Sequence, residues 1–82
     1  MTQAAFIDTL GWIGTALILL AYLLVSTKRV EGDSLLYQGL NITASILLVI
    51  NTFFWHAYPS LFVNAAWILI GVAALGRKWL SR

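Results

Sequence analysis

The chain contains no cysteine and few charged residues, and each shortage excludes a class of protein or chemistry. Without cysteine there can be no disulfide, no thiolate nucleophile and no cysteine-ligated metal. Charged residues make up 10% of the chain, whereas hydrophobic residues make up 61% and the mean hydropathy is +0.89. A soluble domain of 82 residues has too little interior to bury so much apolar surface. The composition therefore predicts a membrane protein, with the lipid bilayer as its solvent.

Two long segments contain no charged side chain. Thr9 to Thr27 is long enough for one helix across a hydrocarbon core of ~30 Å. Ser34 to Gly76 is long enough for two crossings, and Pro59 marks the turn between them because proline suits the first turn of a helix. The pattern predicts an all-α integral membrane protein with a single domain (1–82), a bundle of three transmembrane helices at about residues 7–27, 34–55 and 60–76.

The five basic residues lie in two places only, which predicts the orientation of the helices. Lys28 and Arg29 fall between the first and second spans, and Arg77, Lys78 and Arg82 follow the third. A chain with three spans brings these two places to the same membrane face, and the positive-inside rule assigns that face to the cytoplasm. We therefore expect the N-terminus outside and the C-terminus inside. The net charge of +2 is too small, and too local, to indicate nucleic-acid binding.

The chemistry of enzymes and ion-coupled pumps is missing from the predicted spans. No Lys, Arg, Asp or Glu lies deep within them, and coupled transport of ions usually needs one. There is no nucleophile–base pair, no cluster of metal ligands and no glycine-rich phosphate loop. We expect no enzymatic activity, no metal and no cofactor. Asp8 is interpreted as a helix-start residue that interacts with the N-terminal dipole, and His56 as an interfacial residue.

Neutral polar side chains on the helices are the candidates for a binding site. In helix two, small and polar residues share one face while large aliphatic residues share the other, which predicts that the former packs against protein and the latter against lipid. Amides around a cavity would suit an uncharged solute, since they donate and accept hydrogen bonds without a fixed charge. A single membrane asparagine nevertheless most often makes an interhelical hydrogen bond, and that interpretation stays open. The candidate substrate-binding residues are Asn64, Asn41, Trp67, Ser45 and Asn51.

Several short motifs resemble known families. Gly32-Asp33-Ser34 at the start of helix two, and Asn64 early in helix three, resemble the MtN3/SWEET-like superfamily, in particular the bacterial half-transporters called SemiSWEETs. The CBU_0592-like family of small bacterial three-helix membrane proteins resembles the chain at Gly11-Trp12-Ile13-Gly14-Thr15, Tyr37-Gln38, Asn41, and Ala57-Tyr58-Pro59-Ser60 through Asn64 and Trp67. The chain lacks the Pro-Gln pair that SemiSWEETs carry in helix one.

The SemiSWEET resemblance implies a three-helix bundle that dimerises in parallel around a sugar-sized path in the bacterial inner membrane, with Asn64 in the pocket. We therefore expect a homodimeric facilitative carrier of a small uncharged polar solute, such as a sugar. The alternative is a non-transporting subunit or assembly protein whose small-residue faces dock a larger membrane partner.

Overall fold

A computed structural model describes residues 2–80, and these residues form three α-helices in chain order. They are α1 (Gln3–Ser26), α2 (Leu35–Phe54) and α3 (Tyr58–Leu80). The bundle is 45 Å long and 23 by 20 Å across. All three helices are long and apolar enough to cross a membrane, so length and composition are those of a multi-pass membrane protein. The predicted all-α fold, with three helices long and apolar enough to span a membrane, is confirmed.

Local chemistry fixes where the helices begin. The Thr2 hydroxyl accepts a hydrogen bond from the backbone N–H of Ala5 at 3.1 Å, and the Ser34 hydroxyl accepts one from Tyr37 N–H at 3.1 Å. Each hydroxyl thereby satisfies a backbone N–H that has no partner inside its helix. Pro59 stands in the first turn of α3, where its missing N–H costs nothing.

The first two helices end in the same hydrogen-bonded motif, which the sequence did not predict. In α1 the N–H groups of Lys28 and Arg29 donate to the carbonyl oxygens of Val25 and Leu24; in α2, those of His56 and Ala57 donate to Phe53 and Thr52. These are Schellman motifs, which need a left-handed residue just after the helix. Lys28 (φ 61°) and His56 (φ 59°) take that conformation without being glycine.

The helix ends differ from the prediction at both termini of the chain. α1 begins at Gln3 rather than near residue 7, because Thr2 supplies a cap and no charged residue precedes Asp8. α3 continues through Gly76 to Leu80, so Gly76 does not end it. A helical glycine costs only about 1 kcal/mol relative to alanine, which the helical residues on either side can offset. α3 was expected to be the shortest span, but α2 is shorter, with 20 residues against 23.

α2 lies at the centre of the bundle and packs against both other helices, whereas no Cα of α1 approaches one of α3 within 8 Å among the described residues. The contacts depend on glycine. A Cβ on Gly14 would lie 2.9 Å from the Ala44 carbonyl oxygen, and one on Gly71 would lie 3.0 Å from Ile42. Such close approach of backbones is the usual way for membrane helices to gain packing energy. α1 and α3 therefore flank α2 and leave a groove between them.

The predicted sidedness of α2 agrees with the structure in most positions. Its buried residues are Asn41, Ala44, Ser45 and Thr52, all on the face expected to contact protein. Most of the aliphatic face is exposed, including Ile46 and Ile50. Ile42 and Val49 depart from this pattern because both are half-buried, Ile42 against Gly71 of α3.

Candidate functional site

The groove between the helices contains a cavity of about 200 Å³ to which all three helices contribute. Three of the five candidate residues from the sequence line it: Asn41 of α2, and Asn64 and Trp67 of α3. The remaining lining residues are Ile18, Tyr22, Tyr37 and Val63. None of the lining side chains carries a formal charge, so the cavity presents neutral polar groups and aromatic rings.

Both polar atoms of the Asn41 side chain are hydrogen-bonded to other groups of the protein. This side chain is 7% exposed, and its Nδ2 donates to the Tyr37 carbonyl oxygen one turn earlier at 3.0 Å. Its Oδ1 accepts a long hydrogen bond of 3.4 Å from the indole Nε1 of Trp67. This contact links α2 to α3 across the groove and fixes the edge of the Trp67 ring. The ring remains 47% exposed and lines the cavity.

Asn64 retains free hydrogen-bonding capacity. Its Nδ2 donates to the Ser60 carbonyl oxygen at 2.9 Å, while its Oδ1 has no partner among the described residues. The hydroxyls of Tyr22 and Tyr37 also make no hydrogen bond within the described part of the chain. An asparagine side chain can accept two hydrogen bonds at Oδ1, and a phenol can both donate and accept. The cavity can therefore offer donors and acceptors to a polar molecule.

The other two candidates lie outside this cavity. Ser45 is fully buried, and its Oγ has no hydrogen-bond partner among the described residues. Asn51 lies nearer the opposite end of the bundle, where its Nδ2 donates to the backbone carbonyl oxygen of Ile7 at 3.0 Å. The structure thus places Ser45 in a buried helix contact, and Asn51 in a hydrogen bond between α2 and α1.

A second cavity, of about 230 Å³, opens at the end of the bundle that carries the α1 N-terminus. It is lined by Asp8, Gly11, Trp12, Thr15, Leu48, Asn51 and Trp55. The indole Nε1 of Trp55 donates to Asp8 Oδ1 at 2.8 Å. Asp8 is therefore not a helix-start residue as predicted: no acidic residue stands in the first turn of α1. We name this cavity the Asp8 cavity.

The Asp8 cavity was missed from the sequence because each of its residues has an ordinary role when taken alone. Trp12 and Trp55 fit the usual enrichment of tryptophan at membrane interfaces, and Gly11 fits a small residue at a helix contact. The available signal was the spacing of Asp8, Gly11, Trp12 and Thr15, which lie on one side of a helix at offsets of three, four and seven. Their convergence on Trp55 required the register between α1 and α2, which the sequence does not give.

The described basic residues lie at the opposite end of the bundle, which we call the basic end. It holds Lys28, Arg29, Arg77 and Lys78. Lys78 Nζ lies 3.7 Å from Asp33 Oδ1 and 3.3 Å from the Asp33 carbonyl oxygen, so it joins the end of α3 to the loop before α2. Both side chains are partly exposed, and the pair contributes little to stability because water screens it. Arg82 lies outside the described residues.

The fold defines a small membrane protein with three spans and an uncharged groove. A protein-family model matches residues 7–82, all but the first six residues, and the chain belongs to that family. Comparisons with curated proteins and with solved structures give no match.

Proposed function

We propose that this protein is a facilitative carrier of a small uncharged polar solute, and that it works as a parallel homodimer related to the SemiSWEETs. The observation that carries the proposal is the neutral cavity lined by Asn41, Asn64 and Trp67. Its free groups are one amide oxygen and two phenol hydroxyls. Such groups can replace the water around a sugar or polyol hydroxyl without favouring a charged solute.

The geometry of the groove supports a dimer. α1 and α3 make no close backbone contact, so the cavity is open on one side of a single copy. A second copy with its groove facing the first would close that side and would double the number of polar groups around the solute. Parallel halves related by an axis along the membrane normal are one of the arrangements that transporters use.

The charges support one orientation of the protein, and the family resemblance supports one membrane. The basic end would face the cytoplasm by the positive-inside rule, and the Asp8 cavity would then open outside. The resemblance to bacterial three-helix proteins favours the bacterial inner membrane.

The test is a solute-uptake assay in proteoliposomes with a panel of sugars and polyols, with wild type and two variants. Asn64→Ala removes the free amide oxygen and should weaken solute binding by on the order of 1–3 kcal/mol while the protein still folds and dimerises. Thr43→Ala is the matched control, because Thr43 is an exposed polar residue of α2 away from the cavity. It should transport like wild type.

A result in which Asn64→Ala lowers the melting temperature and no solute in the panel binds wild type would refute the carrier. Asn64 would then have only a structural role. The oligomeric state in mild detergent gives an independent measurement. A stable homodimer agrees with the carrier, and a monomer contradicts it.

One observation favours the alternative of a non-transporting subunit. Gly71 is the single buried residue of α3 among the described residues, and most of the others are exposed and could contact another protein. In this case the groove would receive a helix of a larger membrane partner. Co-purification of a monomer with one defined membrane protein, abolished by Val63→Trp in the groove but not by Val72→Trp on the opposite side of α3, would favour the subunit.

A further inference from the structure

The Asp8 cavity has an ionic character that the neutral cavity lacks. Asp8 is the one acidic residue within the described helices, and its Oδ1 is fixed by the Trp55 indole at 2.8 Å. Its second carboxylate oxygen has no partner among the described residues. Asn51 contributes another free acceptor, since its Nδ2 is engaged by Ile7 while its Oδ1 makes no hydrogen bond within the described chain. The cavity therefore has an excess of acceptors beside a fixed negative charge.

No described cation compensates that charge. The described ion pair is Lys78–Asp33, at the basic end. Lys28 follows Asp8 by nearly the whole length of α1, which at 1.5 Å per residue is about 30 Å. That separation exceeds the Debye length of about 8 Å at physiological ionic strength, so the basic residues do not neutralise Asp8.

Aromatic rings complete the site. Trp12 lies one helical turn from Asp8 on the same side of α1 and is 75% exposed, and Trp55 approaches from α2 and is 50% exposed. The faces of indole rings attract cations, most strongly among the aromatic side chains. A carboxylate flanked by two indoles in a space of about 230 Å³ suits a small organic ammonium ion. A calcium ion would need six to eight oxygen ligands, which the cavity does not provide.

We infer that the Asp8 cavity binds a small organic ammonium group, through the Asp8 carboxylate and the rings of Trp12 and Trp55. The ammonium can belong to a soluble amine or to a lipid headgroup, since the cavity lies at the end of the bundle. This inference does not depend on solute transport through the neutral cavity. It assigns a function to Trp12 and Trp55 beyond that of interfacial aromatics.

The experiment measures choline binding to the full-length protein in a maltoside detergent by isothermal titration calorimetry. The matched ligand is the uncharged isostere of choline, in which a quaternary carbon replaces the nitrogen. We expect choline to bind, to bind more weakly as salt is raised, and the isostere not to bind. Equal binding of choline and the isostere, or no binding of choline, would overturn the inference.

Asp8→Asn is the decisive variant because the new amide oxygen can still accept the Trp55 hydrogen bond while the charge is lost. We expect choline affinity to fall about tenfold or more, as for loss of a charged partner, with the melting temperature unchanged. Trp12→Leu should weaken choline binding about threefold, as for loss of one exposed cation–π contact. Asn64→Ala, in the other cavity, should leave choline affinity unchanged. Wild-type affinity in Asp8→Asn would refute the site.

A second arm identifies the source of the ammonium. Choline titration is repeated in nanodiscs of phosphatidylcholine, whose headgroup carries the same trimethylammonium. Loss of choline binding in these nanodiscs, compared with maltoside, would identify a lipid headgroup as the occupant. Equal affinity in both would identify a soluble ammonium ion. Both outcomes agree with the site, whereas tight binding of sodium or calcium with no binding of choline contradicts it.

Discussion

The side chain of Asn51 in α2 packs directly against Gly11 in α1. A Cβ on Gly11 would lie 2.5 Å from Asn51 Nδ2, the atom that donates to the Ile7 carbonyl oxygen at 3.0 Å. The missing side chain at Gly11 therefore makes room for the amide that bonds the preceding turn of the same helix. An interhelical hydrogen bond of this kind contributes ~0.6 kcal/mol on average in a membrane, with a maximum of ~1.7.

Asn51→Ala should lower the free energy of unfolding by about 0.6 kcal/mol and leave solute binding in the neutral cavity unchanged. Thermal unfolding and ligand binding on the same detergent preparation test both parts. The variant contrasts with Asn64→Ala, for which the opposite pattern is expected. Loss of solute binding in Asn51→Ala with normal stability would show that the two amides have been assigned to the wrong roles.

Gly14→Ala should destabilise the bundle by about 1–3 kcal/mol, because the new Cβ would meet the Ala44 carbonyl oxygen at 2.9 Å and a backbone atom cannot move away cheaply. Gly39→Ala is the matched control. No atom lies within 4 Å of its Cβ position, so the change should be neutral or stabilise α2 by up to about 1 kcal/mol through helix propensity. Similar melting temperatures for the two variants would contradict the close contact at Gly14.

Ser45 should tolerate loss of its hydroxyl but not added volume. Its Oγ is buried without a hydrogen-bond partner, so Ser45→Ala removes an unsatisfied group and should keep or raise the melting temperature. Ser45→Leu should lower it or disrupt assembly, because the site is fully buried. Ile50→Leu, on the exposed aliphatic face, should be nearly silent. Equal tolerance of leucine at Ser45 and Ile50 would disprove the assignment of faces.

His56→Gly should stabilise the protein by up to about 1 kcal/mol. His56 has a φ of 59°, a conformation that costs a residue with a Cβ but not glycine. His56→Ala is the control, because it removes the same contact with the Tyr58 hydroxyl and keeps the Cβ. The difference in melting temperature between the two variants isolates the backbone effect. No difference would mean that the left-handed turn is not maintained in the membrane.

The orientation can be measured with single cysteines, since the chain has none of its own. Glu31→Cys lies in the loop between α1 and α2, and Ser60→Cys lies in the exposed first turn of α3. A membrane-impermeant thiol reagent should label Ser60→Cys in intact cells and Glu31→Cys only after the membrane is opened. Removal of Glu31 should not disturb the orientation, because acidic residues contribute little to it. Labelling of both from the same side would refute three spans.

The sequence was sufficient for the number of helices, their approximate limits and the two faces of α2. These depend on local quantities: the length of uncharged segments, the 3.6-residue period, and capping residues such as Ser34 and Pro59. The sequence failed to predict two of the helix ends. Gly76 lies inside α3, and Asp8 lies beyond the first turn of α1. Helix ends respond to small differences between propensity and capping energies, and a composition pattern does not resolve them.

At the candidate site, too, residue type predicted which side chains matter, while tertiary structure decided what each one contacts. Amino-acid type alone selected the amides and Trp67, because neutral polar groups in a membrane helix are costly unless they find a partner. Tertiary structure decided which partner each one has. Asn41 and Trp67 meet across the groove, Asn51 bonds Ile7, and Ser45 is buried without a partner. The residues in each pair are distant in sequence, and only the register of α2 against α1 and α3 brings them within hydrogen-bond range. That register follows from the close packing of the helices at Gly14 and Gly71.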